Sequence, residues 1–204
     1  MKADEIKCLL VDFMLNRYSD LVIINELQYG TERRRADLSL VADGKSIAFE
    51  IKSEADTIEK LNSQLTCYKK VFDYIYIVTN ACHVNEIYKK NINMDGVGII
   101  LLDKSELHKI KKSKRIVQNL DKKEILYSVS TIFLKEKFPE LKKMKVDDLR
   151  EVISRKNKNT IHEIYIEYLT RKFKCNIELL KKDKTSNCTV DDIILLSAGG
   201  VVYV

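Results

Sequence analysis

Two short alternating runs of apolar and polar residues, Ala36–Val41 and Ser46–Ile51, flank an Asp43-Gly44 pair. Alternation is the signature of a half-buried strand. Asp-Gly between two such runs predicts a tight hairpin, because both central residues of a type I′ turn need positive φ. Counting outward from that turn sets Ala42 opposite Lys45, Val41 opposite Ser46, Leu40 opposite Ile47, Ser39 opposite Ala48, Leu38 opposite Phe49 and Asp37 opposite Glu50. One face then carries Ala36, Leu38, Leu40, Ile47, Phe49 and Ile51. The other carries Asp37, Ser39, Ser46, Ala48, Glu50 and Lys52, with Val41 its lone large hydrophobe.

The hydrophobic spacing elsewhere supplies the remaining elements. A stripe of Ile6, Leu9, Leu10, Phe13, Met14 and Leu15 predicts a helix over 4–18, and the β-branched run 21–27 predicts a strand. Asp56-x-x-Glu59 has the form of a capping box and predicts a helix over 56–72. Strands follow at 74–79 and 97–102, with a short helix at 84–90 between them. The order α-β-β-β-α-β-α-β predicts an α/β domain, a mixed sheet covered by helices on both faces, closing near Asp103. Residues 104–204 show no further strand before the last residues. Helices are expected from Asp121-x-x-Glu124 to before Pro139, over 146–156, from Thr160-x-x-Glu163 to about 174 and over 191–197, before Gly199-Gly200 leads into VVYV. The chain thus divides into a core at 1–103 and a mainly helical region at 104–204.

Charge sharpens that division. Residues 1–103 carry 13 Lys and Arg against 16 Asp and Glu, while residues 104–184 carry 23 against 12. A basic half joined to a near-neutral one favours a polyanionic partner, most simply nucleic acid, although lysine-rich helices also serve solubility. With 45% hydrophobic residues, one Pro and six Gly, the chain reads as globular, without long flexible linkers. No apolar run reaches bilayer-spanning length, and the start lacks the features of a signal peptide. Five cysteines without Cys-x-x-Cys spacing fit reduced thiols in a cytoplasm, and the three histidines form no zinc pattern.

The chemistry follows from the hairpin register. Asp37 and Glu50 stand side by side with Cβ atoms ~5 Å apart, an arrangement that destabilises a sheet unless positive charge compensates it. A salt-bridge cluster with Lys52 and Arg35 is one solution. A divalent cation is the other, since carboxylate oxygens ~2.0–2.1 Å from Mg²⁺ suit such a pair. Lys52 follows Glu50 by two residues and points the same way. Gln64 and Tyr68 share a helix face at i, i+4. Gln64 as a carbonyl cap and Tyr68 as ordinary core remain open beside a functional role. Arg33, Arg34 and Arg35 read equally as phosphate grips or as a solvated charge run, Glu26 faces Arg35 across the first hairpin only if that turn's length, which the pattern does not fix, gives the right parity, and Cys82-His83 carries no assigned chemistry.

Arg-Ala-Asp at 35–37, Glu-Ile-Lys-Ser at 50–53 and Gln-x-x-x-Tyr at 64–68 together resemble the PD-(D/E)XK nuclease superfamily of restriction-endonuclease-like fold, in particular its small bacterial and phage members. The resemblance covers residues 4–103, with Ala36 where the superfamily name has Pro. It implies a mixed β-sheet flanked by helices and a metal-dependent hydrolase of phosphodiester bonds in nucleic acid, DNA in the first instance, with pairing of two copies common among duplex cutters. It implies that Asp37 and Glu50, with the backbone carbonyl of Ile51, bind Mg²⁺ or Mn²⁺, with Glu5 offered as a further acidic residue from the first helix. Lys52 would orient or deprotonate the attacking water, and Gln64 and Tyr68 would position substrate. The alternative is a nuclease fold whose chemistry is idle, serving as a nucleic-acid-binding or adaptor module.

Overall fold

The computed structural model describes residues 1–183 and 187–197. Six strands form one mixed sheet in the order β1-β2-β3-β4-β5-β6: Leu21–Tyr29, Arg34–Ala42, Lys45–Lys52, Tyr74–Thr79, Val97–Asp103 and Glu106–Lys111. The first three strands form an antiparallel meander, β3, β4 and β5 run parallel, and β6 returns antiparallel. Helices α1 (Ala3–Leu15), α2 (Leu61–Tyr68) and α3 (Ala81–Lys89) accompany the sheet. They are followed by α4 (Lys122–Ser128), α5 (Thr131–Lys137), a 3₁₀ turn at Pro139–Leu141, α6 (Val146–Ser154), α7 (Lys158–Asp183) and α8 (Val190–Leu195). The fold is α/β, a mixed sheet flanked by helices with a helical C-terminal region, as the sequence pattern predicts.

The hairpin forms in the expected register, from Ala42 opposite Lys45 to Leu38 opposite Phe49. Asp43 and Gly44 have φ of 49° and 66°. Both therefore occupy the left-handed region that a type I′ turn demands. The parallel strands β4 and β5 read as continuous apolar runs because they are buried on both faces.

Four expectations need correction. The sheet does not stop at Asp103, since β6 pairs with β5. This edge strand buries little, so it lacks apolar alternation, and its lysines blunt the open edge. Helix α2 begins at Leu61 rather than Asp56 and ends at Tyr68 rather than Phe72. The Asp56 carboxylate instead accepts the main-chain N–H and hydroxyl of Ser53, at 2.8 and 2.6 Å, closing a turn after β3. The helix expected between Asp121 and Pro139 breaks at Val129, where the Ser130 side chain caps α5 by accepting from the Phe133 N–H. Helix α7 runs well beyond residue 174, and the Asn157 side chain, not Thr160, accepts a first-turn N–H. The VVYV segment lies outside the described residues.

One continuous apolar core joins the two halves, with Phe49, Ile77 and Tyr68 in the same cluster as Leu134, Tyr165 and Phe173. Main-chain bonds reinforce the junction, from Ile116 N–H to the Asp73 carbonyl (2.7 Å), Asp121 N–H to Lys70 (2.8 Å) and Asn25 N–H to Leu196 (2.9 Å). No described helix is long and apolar enough to cross a membrane.

Candidate functional site

Asp37 and Glu50 are the next pair beyond Leu38 and Phe49, so the hairpin sets their side chains on one face. Glu50 is 1% exposed. Its Oε1 lies 2.8 Å from Nζ of Lys52, and its Oε2 accepts a 2.6 Å hydrogen bond from the Tyr68 phenol. Asp37 Oδ2 accepts the main-chain N–H of Ile51 at 2.8 Å. The backbone just beyond Lys52 is pinned from two sides. The Thr79 hydroxyl donates to the Lys52 carbonyl at 2.8 Å, and Nε2 of the buried His83 lies 2.9 Å from the Ser53 carbonyl.

The electrostatics follow from this crowding. Burial, and then the charge of Glu50, push the Asp37 carboxyl up to about 6, against the Ile51 N–H and the cations Lys52 and Lys7. A carboxyl with this environment carries negative charge that the protein alone neutralises incompletely. Burial, with Glu50 and Asp37 alongside, drives the Tyr68 phenol well above its ordinary value, so it stays a hydrogen-bond donor.

Asp37, Glu50, Lys52 and Tyr68 are therefore brought together. Gln64 sits one turn before Tyr68 on the same helix, and its Oε1 is buried without a partner. Ile51 contributes its N–H to Asp37. Glu5 is exposed and serves its own helix, accepting the Lys2 N–H at 2.8 Å. Of the salt-bridge cluster considered for the carboxylates, the Lys52 half forms. Arg35 pairs instead with Glu26 at 2.7 Å, and Arg34 with Glu32 at 2.7 Å.

Among the described residues, no group of three or more His, Cys, Asp or Glu side chains is placed to hold a metal ion. A donor set here would consist of two carboxylates completed by main-chain oxygen and water. Those are the hard oxygen donors that Mg²⁺ and Mn²⁺ take, and each carboxylate retains lone pairs beyond the contacts named. The residues present fit a divalent cation on that chemistry and on the incompletely neutralised Asp37.

A family model described as bacteriophage P4 protein cII matches residues 1–197. The chain belongs to that family. The cII protein of Enterobacteria phage P4 is 27% identical over 191 residues, covering 84% of this chain and 72% of its own. Among solved structures, a protein of unknown function from Silicibacter pomeroyi aligns with a TM-score of 0.38 and 13% identity, over 62% of this chain and 88% of its own. The P4 cII match takes in the carboxylate-bearing hairpin and the helices beyond it alike.

In this member of the P4 cII family, sequence reasoning overlooked one charged neighbour of the site, Lys7, and the backbone conformation of another, Glu26. Lys7 is 5% exposed on α1, with Nζ 3.6 Å from Glu26 and 3.7 Å from Asp4. Its signal is a lysine set between Ile6 and Cys8, both buried. Glu26 interrupts the apolar run of β1 and has φ of 51°. The β1–β2 pairing passes over it, although the register would set it against Asp37. A non-glycine residue held in the left-handed region is sparsely populated and concentrates at working sites.

Proposed function

We propose that this chain is a metal-dependent nuclease that hydrolyses phosphodiester bonds in nucleic acid, with DNA as the first substrate class to test, on a restriction-endonuclease-like core. The observation that carries this reading is the contact geometry of Glu50: a buried carboxylate beside Asp37, held by both the Lys52 ammonium and the Tyr68 phenol. A sheet retained for shape alone gains nothing from two opposed carboxylates, one of them held near pH 6.

Asp37, Glu50 and the Ile51 carbonyl would hold Mg²⁺ or Mn²⁺, which supplies Lewis acidity toward a phosphoryl oxygen. Lys52 has three donors, of which Glu50 engages one, leaving a compact positive charge to face the charge developing on the phosphate. Tyr68 fixes the Glu50 carboxylate from the opposite oxygen and does not itself titrate in the working range. Gln64, with an unpartnered carboxamide oxygen one turn away, is placed to accept from water or substrate.

Purified protein incubated with plasmid and with single-stranded DNA should cut in Mg²⁺ or Mn²⁺ and stop with chelator. Asp37→Asn, Glu50→Gln and Lys52→Ala should fold, by circular dichroism, and fail to cut. Equal cutting by all four proteins would mean a contaminant and remove the proposal. A wild type that neither cuts nor takes up metal by calorimetry would leave the catalytically idle binding module instead.

A further inference from the structure

A cavity of about 710 Å³ opens between the β1–β2 turn, the α4–α5 junction, α6 and α7. Among the described residues its charged lining is of one sign, Arg33 from the turn, Arg150 from α6 and Lys172 from α7, with no carboxylate in the wall. Among the described residues none of these three makes an ion pair, whereas Arg34, Arg35, Arg115, Arg155 and Arg171 all do. Arg150 is oriented entirely by neutral groups. Its Nε donates to the Leu126 carbonyl at 3.3 Å, and its Nη2 lies 3.4 Å from the Val129 carbonyl and 3.3 Å from Thr131 Oγ1. The guanidinium carbon sits 4.4 Å from the centre of the Tyr127 ring. Lys172 Nζ donates to the Tyr168 phenol at 3.2 Å, and Arg33 Nη2 to Gln28 at 3.0 Å.

Glu32 in the turn and Glu151 on α6 pair with Arg34 and Arg155, and two further carboxylates on these elements accept neutral donors. Glu124 accepts the Thr31 N–H at 2.8 Å, and Asp147 accepts the Tyr127 phenol at 3.0 Å. Three like charges around one concavity repel one another, and an anion bound among them relieves that repulsion. Arginine forks and lysine suit phosphate oxygens in particular. The cavity also adjoins the carboxylates: Tyr29 in its wall stacks on Tyr68 with ring centres 5.3 Å apart, and Tyr68 donates to Glu50.

We propose that this cavity is a phosphate-binding subsite for a nucleic-acid strand, with Arg33, Arg150 and Lys172 on the phosphate. The choice of a strand over a free nucleotide rests on the nuclease reading; the preference for phosphate does not.

The test uses the full chain, a labelled oligonucleotide and chelator, so that no cutting intervenes, and reads fluorescence polarisation across a salt series. The double variant Arg33→Gln/Lys172→Gln changes two exposed side chains that hold no ion pair. It should bind at least about tenfold more weakly, with a salt slope reduced by about two. Equal affinity of wild type and the double variant, or no binding of either the oligonucleotide or adenosine monophosphate at low salt, overturns the subsite. Tight binding of adenosine monophosphate without binding of the oligonucleotide overturns the assignment to a strand. A protein that cuts DNA with unchanged affinity in the double variant defeats the subsite alone; one that binds through these cations and never cuts defeats the nuclease reading alone.

Discussion

The phenol of Tyr68 donates a 2.6 Å hydrogen bond to Oε2 of Glu50, and neither residue is more than 1% exposed. Tyr68→Phe removes that donor while keeping the ring that stacks on Tyr29 and meets Phe72. A buried carboxylate oxygen deprived of its partner costs about 1–3 kcal/mol. The urea midpoint should fall accordingly, with native near-ultraviolet circular dichroism retained. Cleavage should drop at least about tenfold, because a Glu50 held from one side only loses its orientation toward metal and Lys52. A variant with wild-type stability would show that the phenol contributes nothing there.

Asp37 makes the opposite prediction for stability. Its folded carboxyl stands at about 6 against 3.8 for the free group. The folded state therefore holds that proton more tightly than the unfolded chain between those values. The resulting stabilisation is complete below about pH 3.8 and lost as pH rises through 6, a difference on the order of 3 kcal/mol. Asp37→Asn keeps an acceptor for the Ile51 N–H and carries no charge. Its urea midpoint should exceed wild type at pH 7.5 and match it near pH 4. Added Mg²⁺ or Mn²⁺ should stabilise wild type only as pH rises through 6, and never the variant. Loss of stability in Asp37→Asn at pH 7.5 would contradict this.

The site was legible to the extent that it depends on strand parity. Asp43-Gly44 fixes the turn, the turn fixes the register, and the register alone places Asp37 beside Glu50 and Lys52 beyond it. Gln64 and Tyr68 were readable as one helix face, but not which way that face points; the Glu50 contact settles it for Tyr68. Lys7 escaped because its role depends on how α1 and β1 meet, which no local pattern encodes. The strand β6 escaped for a related reason: an edge strand that buries almost nothing has no hydrophobic period to read. The cavity beside Arg150 brings together residues from the β1–β2 turn and from α4, α5, α6 and α7, so only the folded chain displays it.

Asp73 tests how the C-terminal helices are tied to the sheet. It is fully buried between β3, α7 and the segment after β6. Its Oδ2 accepts from the Ser46 N–H at 2.9 Å and hydroxyl at 3.1 Å, and lies 2.6 Å from His162 Nε2; Oδ1 accepts from Arg115 Nε at 3.2 Å. Burial alone would raise this carboxyl. The bonds from His162 and Ser46 and the nearby charges outweigh it and hold the group below its usual range. A depressed carboxyl contributes stability that is present above the unfolded value near 3.8 and lost as pH falls through the lower folded one. Asp73→Asn abolishes the charge facing His162 and Arg115 and cannot accept every bond, so it should cost about 3–5 kcal/mol at pH 7. The gap from wild type should narrow as both are acidified toward pH 3. His162→Gln, which keeps a donor on α7, should cost less. Limited proteolysis of Asp73→Asn should open the 113–121 segment, where Arg115 and Ile116 hold to Asp73. A variant with an unchanged urea midpoint and cleavage pattern would show that the two halves are joined by their apolar core alone.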